Sequence, residues 1–288
     1  MSQANGSGLV GPGRGRGLLD IPKNRYLLHL LVRKEVQVRY RGSVLGILWS
    51  YIKPGVQFVV FYIAMGVFLG LNRGVENYAV YLFSGIIAMN FFNEVFGNAA
   101  RSIVGNGNLV KKVYLPRQLF PVSTLWVGVV HFLPQVVVLL IACVVTGWRP
   151  GRLQIGAVLV GVVIIGAFSL GLGVLFATAN VFFRDAENFV DLIAMVATWA
   201  SPVLYMWTMV EEATPRLMGV YFANPLTVAV ELFHYGFWEP TTAGDGLWSV
   251  PPHLFSVWVP VALLISVGLL VLGDRVFRRF EGNFAQEL

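Results

Sequence analysis

Three ionisable side chains lie inside or at the edge of long apolar stretches and are the first candidates for chemistry. Glu94 ends one such stretch, Asp191 begins another, and His131 lies three residues before Pro134 within a third. An ionisable group in lipid is costly, so it usually faces a partner or a water-filled cavity. A proton-coupled carrier would need a chain of buried acids or histidines, and the sequence shows none. For these three residues, structural pairing and transport chemistry both remain open.

Motifs that hold phosphates, metal ions or activated nucleophiles are missing from the sequence. The glycine-rich start, GSGLVGPGRGRG, lacks the lysine and the strand–helix context of a phosphate-binding loop. There is no HExxH, no GxSxG and no Cys/His spacing for a metal, and Cys143 is the one cysteine. We therefore predict a chain that binds no cofactor or metal and is not an enzyme. Active transport would take its energy from a partner.

The composition identifies a membrane environment. Hydrophobic residues make up 56% of the 288 residues, charged residues only 12%, and the mean hydropathy is +0.69. A soluble domain carries about twice that charged fraction. The formal charge of +6 would suggest nucleic-acid binding in a soluble protein, but in a membrane protein its distribution matters more than its sum.

Uncharged intervals between charged residues locate six spans, each able to hold the ~20 residues that cross a bilayer. They form one six-span transmembrane domain, 23–288, behind a flexible cytoplasmic tail, 1–22. With both termini in the cytoplasm, 17 of the 21 lysines and arginines fall on the inner side. The predicted fold is an all-α, multi-pass plasma-membrane protein with spans at 54–72, 77–97, 119–147, 154–181, 190–209 and 254–273.

The region before the first span predicts an N-terminal interfacial helix. Residues 26–32 form an apolar patch too short to cross a membrane, and the basic stretch 33–54 follows it. Such a charge cluster attracts anionic head groups or phosphates at the inner surface. Simple anchoring and recognition of a phosphorylated lipid substrate both remain open.

Residues 220–238, VYFANPLTVAVELFHYGFW, are strongly apolar although they lie in the outer segment between predicted spans five and six. They predict a re-entrant or interfacial element rather than a seventh span, with a packed external cap as the alternative. Asn224 and Pro225 indicate a turn or helix start. Glu231 and His234 share one helical face, where a local pair is expected.

Aromatic residues, 14% of the chain, recur along the first, second and fifth predicted spans. Along a pore, they would suit sugar rings, whose C–H faces pack on π-faces while Tyr and Trp add hydrogen bonds. Ordinary packing against lipid or core is the alternative. The candidates are Tyr51, Phe58, Tyr62, Phe91, Phe92, Trp199, Tyr205 and Trp207.

The segment 108–121, NLVKKVYLPRQLFP, interrupts two long apolar stretches on the predicted cytoplasmic side. Val110, Val113 and Tyr114 recur at i, i+3 and i+4, which gives an apolar edge on a short helix. Pro116 ends that helix. A short, bounded helix with an apolar edge is predicted to dock on a partner.

Four ordered blocks between about Arg33 and Thr227 resemble the polysaccharide-export permeases of the type-2 ABC transporter class. The blocks are VRYRGSVLGILWSYIKP, LVKKVYLPRQLFPVS, FFRDAENF…SPVLY and NPLT. The resemblance implies a homodimer in membrane lipid, with the polymer path between its subunits, and two copies of a separate ATPase that binds ATP and Mg²⁺. It implies ATPase contacts at Val110, Lys111, Lys112, Val113, Tyr114, Leu115, Arg117, Phe183, Arg184 and Asp185.

The same resemblance implies that a lipid pyrophosphate enters beside the interfacial helix, with Arg39, Arg41 and Lys53 as the candidate contacts. Where the family often carries an arginine shortly after its NP motif, this chain offers an acid and a histidine. The outer gate would include Asn224, Pro225, Glu231 and His234.

The expected cargo is a lipid-linked cell-wall galactan, because the chain looks most like actinobacterial, mycobacterial-type members and arginine outnumbers lysine. Two alternatives remain open. A drug or lipid cargo would suit a pathway lined by aliphatic side chains. A membrane-embedded glycan transferase would need an acid or base at the surface, for which Asp185, Glu187 and Asp191 are the inner cluster.

Overall fold

The structure is a computed structural model that describes residues 17–112, 115–242 and 250–288, and these ranges contain helices and no strand. Wider, π-helical turns extend α2 to Phe68 and α10 to Trp238, and another precedes α11 from Leu254. The helices are α1 (Arg25–Tyr40), α2 (Trp49–Phe61), α3 (Tyr78–Gly105), α4 (Gly107–Lys112), α5 (Leu119–Val145), α6 (Arg152–Phe182), α7 (Ala186–Trp199), α8 (Trp207–Ala213), α9 (Met218–Ala223), α10 (Pro225–Phe233), α11 (Val259–Phe280) and α12 (Phe284–Glu287).

The prediction of an all-α integral membrane protein is confirmed. Within the described ranges, five helical stretches are long and apolar enough to cross a bilayer. Two match the predicted spans 119–147 and 154–181 to within two residues at each end, whereas the helices of the second and last spans begin as predicted but run 8 and 14 residues past 97 and 273. The first begins at Trp49, before the predicted 54, because Lys53 lies inside the helix. The five are Trp49–Phe68, Tyr78–Gly105, Leu119–Val145, Arg152–Phe182 and Leu254–Glu287.

Helix α3 is the centre of the bundle. In its most apolar 18-residue window 78% of residues are buried, against 11% for Trp49–Phe68 and 17% for Leu254–Glu287. It packs against α2, α5, α6, α7 and α10. Its 28 residues reach about 42 Å, more than a bilayer core of about 30 Å. One end of α3 therefore extends beyond the hydrocarbon.

Helices α6 and α11 approach closely at two glycines. A Cβ added to Gly171 would lie 2.7 Å from the backbone nitrogen of Leu270, and one added to Gly273 would lie 2.7 Å from the carbonyl oxygen of Gly171. Small residues at a helix interface allow backbones to approach in this way.

We expect Gly171→Ala to lower the thermal unfolding midpoint of the detergent-solubilised protein by several degrees. The added methyl meets backbone, which cannot rotate away, and overpacking of this kind costs about 1–3 kcal/mol. Gly156→Ala on the same helix is the matched control, since nothing lies within 4 Å of its added Cβ. Equal midpoints for the two variants would contradict this account of the interface.

The predicted fifth span, 190–209, is not one continuous helix in the structure. Helix α7 ends at Trp199, and irregular backbone follows through Ser201 and Pro202 before α8 begins. Proline lacks the N–H that a helix interior needs. Fourteen residues of α7 reach only about 21 Å, too short for a bilayer core.

Two tyrosines of α3 satisfy the carbonyl groups that this break leaves free. Tyr81 Oη donates to the carbonyl oxygens of Pro202, at 3.2 Å, and Tyr205, at 2.7 Å. Tyr78 Oη donates to the carbonyl oxygen of Leu204 at 3.3 Å. Non-helical backbone is tolerated at membrane depth only where protein or water satisfies it.

The apolar outer segment folds into α9 and α10. Asn224 caps α10, its Oδ1 accepting from the backbone nitrogen of Leu226 at 3.1 Å, and Pro225 occupies the first turn, as predicted. All nine residues of α10 are buried, and the helix packs against α3, α6 and α11. The re-entrant course of this segment stays a prediction.

Part of the predicted flexible tail has a defined position. Residues 1–16 lie outside the described ranges, and Gly17–Asn24 forms a 3-10 helix. The tail boundary at residue 22 stays a prediction. The backbone nitrogen of Leu18 donates to Asp274 Oδ1 of α11 at 3.0 Å. This contact ties the N-terminal segment to the last long helix.

Candidate functional site

A polar stripe runs along one face of α3 through the otherwise apolar helix. Its members are spaced at i, i+3, i+4, i+7, i+8 and i+11, which places them on one side of a helix. Polar groups inside a span are expensive and are retained where they face a partner or a cavity. The stripe consists of Asn90, Asn93, Glu94, Gly97, Asn98 and Arg101.

The stripe forms the floor of a cleft of about 740 Å³. The end of α1 and the start of α2 contribute one wall, and α5 contributes another. Glycines at positive φ in the intervening turn, Gly42 at 76° and Gly46 at 51°, let the chain leave α1 and enter α2. The cleft is lined mainly by polar side chains, including Ser43, Ser50, Lys53, Gln57 and Gln135.

A hydrogen-bonded network closes one end of the cleft. Arg39 of α1 forms an ion pair with Glu94 of α3, and its Nη1 lies 3.0 Å from Nδ1 of His131 on α5. The same His131 Nδ1 lies 3.1 Å from Glu94 Oε1. Its Nε2 lies 2.9 Å from Tyr40 Oη, which lies 2.7 Å from Ser50 Oγ. Four helices therefore meet through these five side chains.

Neighbouring amides hold this network in place. Gln135 Nε2 donates to the backbone oxygen of His131 at 3.0 Å, and Asn90 Nδ2 donates to Gln135 Oε1 at 3.3 Å. Asn98 Nδ2 donates to the backbone oxygen of Glu94 at 2.7 Å. Glu94 and His131 lie about 16–18 Å from the α3 and α5 ends predicted to face the cytoplasm.

The structure brings together two of the three residues expected at the lipid pyrophosphate. Arg39 and Lys53 both line the cleft, whereas Arg41 is exposed and lies outside its lining. Lys53 is exposed and, among the described residues, no hydrogen bond or ion pair holds its ammonium group. The lining of the cleft thus includes two cations that are held by acids of the chain, Arg39 and Arg101, and one, Lys53, that is free for a ligand.

The acidic cluster on the predicted inner side is largely committed to an ion pair. Arg101 Nε donates to Glu187 Oε1 at 2.7 Å, and its Nη2 donates to Asp191 Oδ1 at 2.6 Å. This fork joins α3 to the start of α7. Asp185 is exposed in the turn before α7. Structural pairing is therefore found for Asp191, as it is for Glu94 and His131.

Two predicted channel aromatics are exposed on the surface of the chain. The side chains of Tyr51 and Trp199 are 39% and 55% exposed. Phe58, Tyr62 and Tyr205 are half-buried. Phe58 packs edge-on against a ring of α3, which leaves one face of α2 available at the surface.

The other predicted channel aromatics are buried within the subunit. Phe92 is fully buried and stacks between rings of its own helix and α6, and Trp207 packs against Phe222 of α9. Neither presents a face for a sugar in this conformation. Phe91 is also buried, but it borders the cleft beside Phe132.

The predicted ATPase-docking helix exists, but its apolar edge does not face outward at Val110. Helix α4 buries Val110 in the core and exposes Lys111 and Lys112. Val113 and Tyr114 lie outside the described residues. The part of α4 that a partner can reach is therefore its pair of lysines.

The chain after α4 is held by the C-terminal segment. Leu115 is half-buried against the core. The Arg117 guanidinium lies 5.9 Å above the ring of Phe284 in α12, and Gln118 Nε2 donates to Glu281 Oε2 at 2.7 Å. These contacts hold the start of α5 against the C-terminal segment.

The turn after α6 presents the other predicted contact. Phe183 is 69% exposed, and Arg184 and Asp185 beside it are exposed too. An exposed phenylalanine flanked by charges is a common composition for a docking site. The accessible coupling candidates are Lys111, Lys112, Phe183, Arg184 and Asp185.

Glu231 and His234 lie together in the interior, 3.7 Å apart, with no exposure of either side chain. The His234 ring stacks on Tyr81 with ring centres 3.8 Å apart. The expected local pair is thus present. Its place is inside the bundle beside α3, where Asn224 and Pro225 begin the helix that carries it.

The amides of the cleft are the functional candidates that sequence reasoning missed. Asn90, Asn93 and Asn98 on α3, with Gln57 on α2 and Gln135 on α5, line it. A search for charged residues passes over them because amides carry no charge. The helical spacing of polar residues within α3 was the signal that could have found them.

Comparison with known proteins places these features in a family. The model of the family described as "ABC-2 type transporter" matches residues 26–238, which include α1, the cleft and α10. The chain belongs to the ABC-2 type transporter family. The predicted resemblance is thereby confirmed, and as an ABC-2 type transporter chain it is a transport component rather than an enzyme.

Similar ABC-2 type transporter chains are export permeases. Two O-antigen export system permease proteins RfbA from Klebsiella pneumoniae are 28% and 30% identical to this chain, each alignment covering 91% of it and 96% of the relative. The RfbA protein of Myxococcus xanthus is 27% identical over 93% of this chain and 98% of its own length. A capsule polysaccharide export inner-membrane protein, CtrC of Neisseria meningitidis, is 22% identical.

Proposed function

We propose that this chain is the membrane permease of an exporter that moves a lipid-linked polysaccharide from the cytoplasm to the outer face of the plasma membrane. The observation that carries the proposal is the polar cleft of about 740 Å³ in the face of α3. Amides and hydroxyl groups line it, and these side chains exchange hydrogen bonds readily with sugar hydroxyls. The export of O-antigen and capsule polysaccharide named for its relatives fits the same chemistry.

The charges of the cleft fit a ligand with an anionic end. Arg39 and Lys53 supply the cations, and Arg guanidinium binds phosphate oxygens in a bidentate manner. Asn90 and Asn93 precede Glu94, the acid that Arg39 contacts, and therefore lie farther from the predicted cytoplasmic end of α3. We therefore propose that a lipid pyrophosphate occupies the basic end while the first sugars contact the amides.

A homodimer would complete the pathway. Helices α2 and α7 flank the stripe of α3 and leave large apolar and aromatic side chains exposed, including Tyr51 and Trp199. A second copy covering these faces would enclose the cleft and present aromatic rings to the passing glycan. The proposed topology keeps six crossings and cytoplasmic termini, with α7, the irregular turn and α8 together making the fifth crossing.

A separate ATPase, in two copies, would supply the energy and hold the ATP and Mg²⁺. Its docking site on this chain is proposed at the exposed residues of α4 and of the turn after α6. The cargo is proposed to be cell-wall galactan, as the sequence suggests. A path for a purely apolar drug gains no support from a lining with this many polar side chains, and a transferase gains none from Glu187 and Asp191, which are committed to Arg101.

Depletion of the protein tests the proposal. We expect a lipid-linked galactan to accumulate on the cytoplasmic face while glycan at the surface falls, because synthesis continues after export stops. Radiolabelled galactose in extracted lipid-linked glycan, compared between intact and permeabilised cells, measures both. Depletion of an unrelated permease is the control. Accumulation of a different lipid-linked polymer would correct the cargo, and normal surface glycan without accumulation would contradict the proposal.

A further inference from the structure

Arg39, the cation at the end of the cleft, is already occupied by acceptors of this chain. Its Nη1 contacts a carboxylate oxygen of Glu94 and lies 3.0 Å from His131 Nδ1. A carboxylate offers the guanidinium the same kind of charged oxygen acceptors as a phosphate does. An anionic ligand that binds Arg39 therefore competes with Glu94 for the positive charge, and it displaces Glu94 where it takes Nη1.

His131 has two ways of using the nitrogen that faces this ion pair. Its Nδ1 lies 3.0 Å from Arg39 Nη1 and 3.1 Å from Glu94 Oε1. Without a proton, Nδ1 accepts from the guanidinium, and with a proton it donates to the carboxylate. On the other side of the ring, Tyr40 Oη lies 2.9 Å from Nε2 and 2.7 Å from Ser50 Oγ. A hydroxyl both donates and accepts, so Tyr40 satisfies either tautomer.

We propose that Glu94 pairs with Arg39 where a phosphate-type anion would otherwise bind. When such an anion displaces Glu94, His131 becomes the hydrogen-bond partner of the released carboxylate. The inference rests on the proposed function and adds how its anion site is controlled. In the resting arrangement Glu94 pairs with Arg39 and His131 accepts from the guanidinium. In the bound arrangement the anion pairs with Arg39 while His131 Nδ1–H donates to Glu94.

The exchange conserves charge and protons. As Nδ1 takes a proton from water in the cleft, Nε2 releases one, and Tyr40 turns its hydroxyl hydrogen from Ser50 toward Nε2. Water reaches the site because the side chains of Arg39 and Glu94 are 35% and 27% exposed. No net charge change accompanies the switch apart from that of the anion itself.

His131 is needed because a released carboxylate would otherwise remain unpaired within a span. Such a group is costly because only 27% of the Glu94 side chain is exposed to water. Arg101, two helical turns along the stripe from Glu94, cannot replace it, since Arg101 is held by Glu187 and Asp191. Lys53, which has no partner among the described residues, is placed to make the first contact with the anion.

The effect on transport is a weakened and reversible anion site. A site of free arginine and lysine would hold a pyrophosphate tightly, and an exporter must also release its cargo. Competition by Glu94 lowers the affinity of the site for the anion. The hydrogen bond from His131 to the released Glu94 limits how far that affinity falls. Both side chains would thereby set affinity without contacting the anion.

Inorganic pyrophosphate binding to the purified full-length protein in lipid nanodiscs tests the inference by calorimetry. Glu94→Gln keeps the shape of the side chain and removes its charge, so we expect binding about tenfold tighter than wild type. His131→Ala should bind at least about threefold more weakly, because displaced Glu94 has no new partner. The variant that combines Glu94→Gln and His131→Ala should bind like Glu94→Gln, because a neutral side chain at position 94 no longer needs His131 as a partner. Such non-additivity identifies a coupled pair.

Glu35→Gln is the matched control: it removes a carboxylate from α1 that pairs with Lys34 outside the cleft, and binding should stay unchanged. Thermal unfolding of each variant confirms that it is folded. If Glu94→Gln binds no more tightly than wild type while Arg39→Gln abolishes binding, the competition is overturned and the anion site stands. If the double variant is as weak as His131→Ala, the exchange is overturned. If wild type and Glu94→Gln both fail to bind, the anion site of the proposed function fails as well.

Discussion

Arg39→Gln should reduce the glycan exported to the cell surface by at least about tenfold, because a hydrogen bond to a charged group contributes about 1.5–3 kcal/mol. Arg39 is the guanidinium at the end of the cleft, and glutamine keeps a donor but loses the positive charge and the fork. The measurement is surface glycan in cells that carry the variant as their one copy, normalised to the amount of permease in the membrane.

Arg33→Gln on the same helix is the control for this prediction. Arg33 is exposed and lies outside the lining of the cleft, so the variant removes an equal charge without touching the site. Adding Glu94→Gln to Arg39→Gln separates loss of the cation from exposure of its partner. Recovery of export in that double variant would show that the unpaired carboxylate, rather than the lost cation, caused the defect. Equal defects at positions 33 and 39 would argue for a general effect of charge at the membrane surface.

The second large effect is expected at the turn after α6. Replacing Phe183 and Arg184 together by alanine should lower recovery of the ATPase with the tagged permease by at least about tenfold, since a central aromatic or arginine contact often contributes 2 kcal/mol or more. Phe183 is 69% exposed and Arg184 is exposed as well, so the fold of the permease alone should be unaffected. Co-purification from membranes and the ATPase rate of the complex measure the result.

Phe68→Ala provides the matched control for the ATPase prediction. Phe68 is 80% exposed at the end of the α2 helical stretch, on the predicted outer side of the membrane. Its removal should leave co-purification unchanged. Undiminished recovery of the ATPase with the Phe183 and Arg184 variant would move the docking site to the lysines of α4 or elsewhere.

The spans were predictable because hydropathy depends on composition along one dimension. Two long helices match their predicted bounds to within two residues and two more begin where predicted, and the family resemblance rested on short blocks that keep their order. The fifth span was only partly predictable. Ser201 and Pro202 indicated a break, but its stability depends on hydroxyl groups of Tyr78 and Tyr81, more than a hundred residues away in sequence.

The docking helix α4 was likewise predictable only in part from the sequence. The sequence predicted its existence from spacing and Pro116, and the structure turns Val110 inward because the core beneath α4 accepts that side chain. Periodicity identifies an apolar face but does not say whether that face meets the same chain or a partner. The exposure of the Phe183 side chain could not be predicted either, because it depends on how α6 and α7 pack on each side of the turn.

The sequence by itself determined the membrane environment, the distribution of its charges, the lack of an ATP-binding motif and the type-2 ABC permease resemblance. Each of these depends on residue types and their order. Only the tertiary structure decided that Arg39, Glu94 and His131 meet, since they lie on three helices and 55 to 92 positions separate Arg39 from the other two. Ion pairs and hydrogen bonds require approach within a few ångströms, and the rotation and packing of helices set that distance. The same packing turned scattered amides into the floor and wall of one cleft.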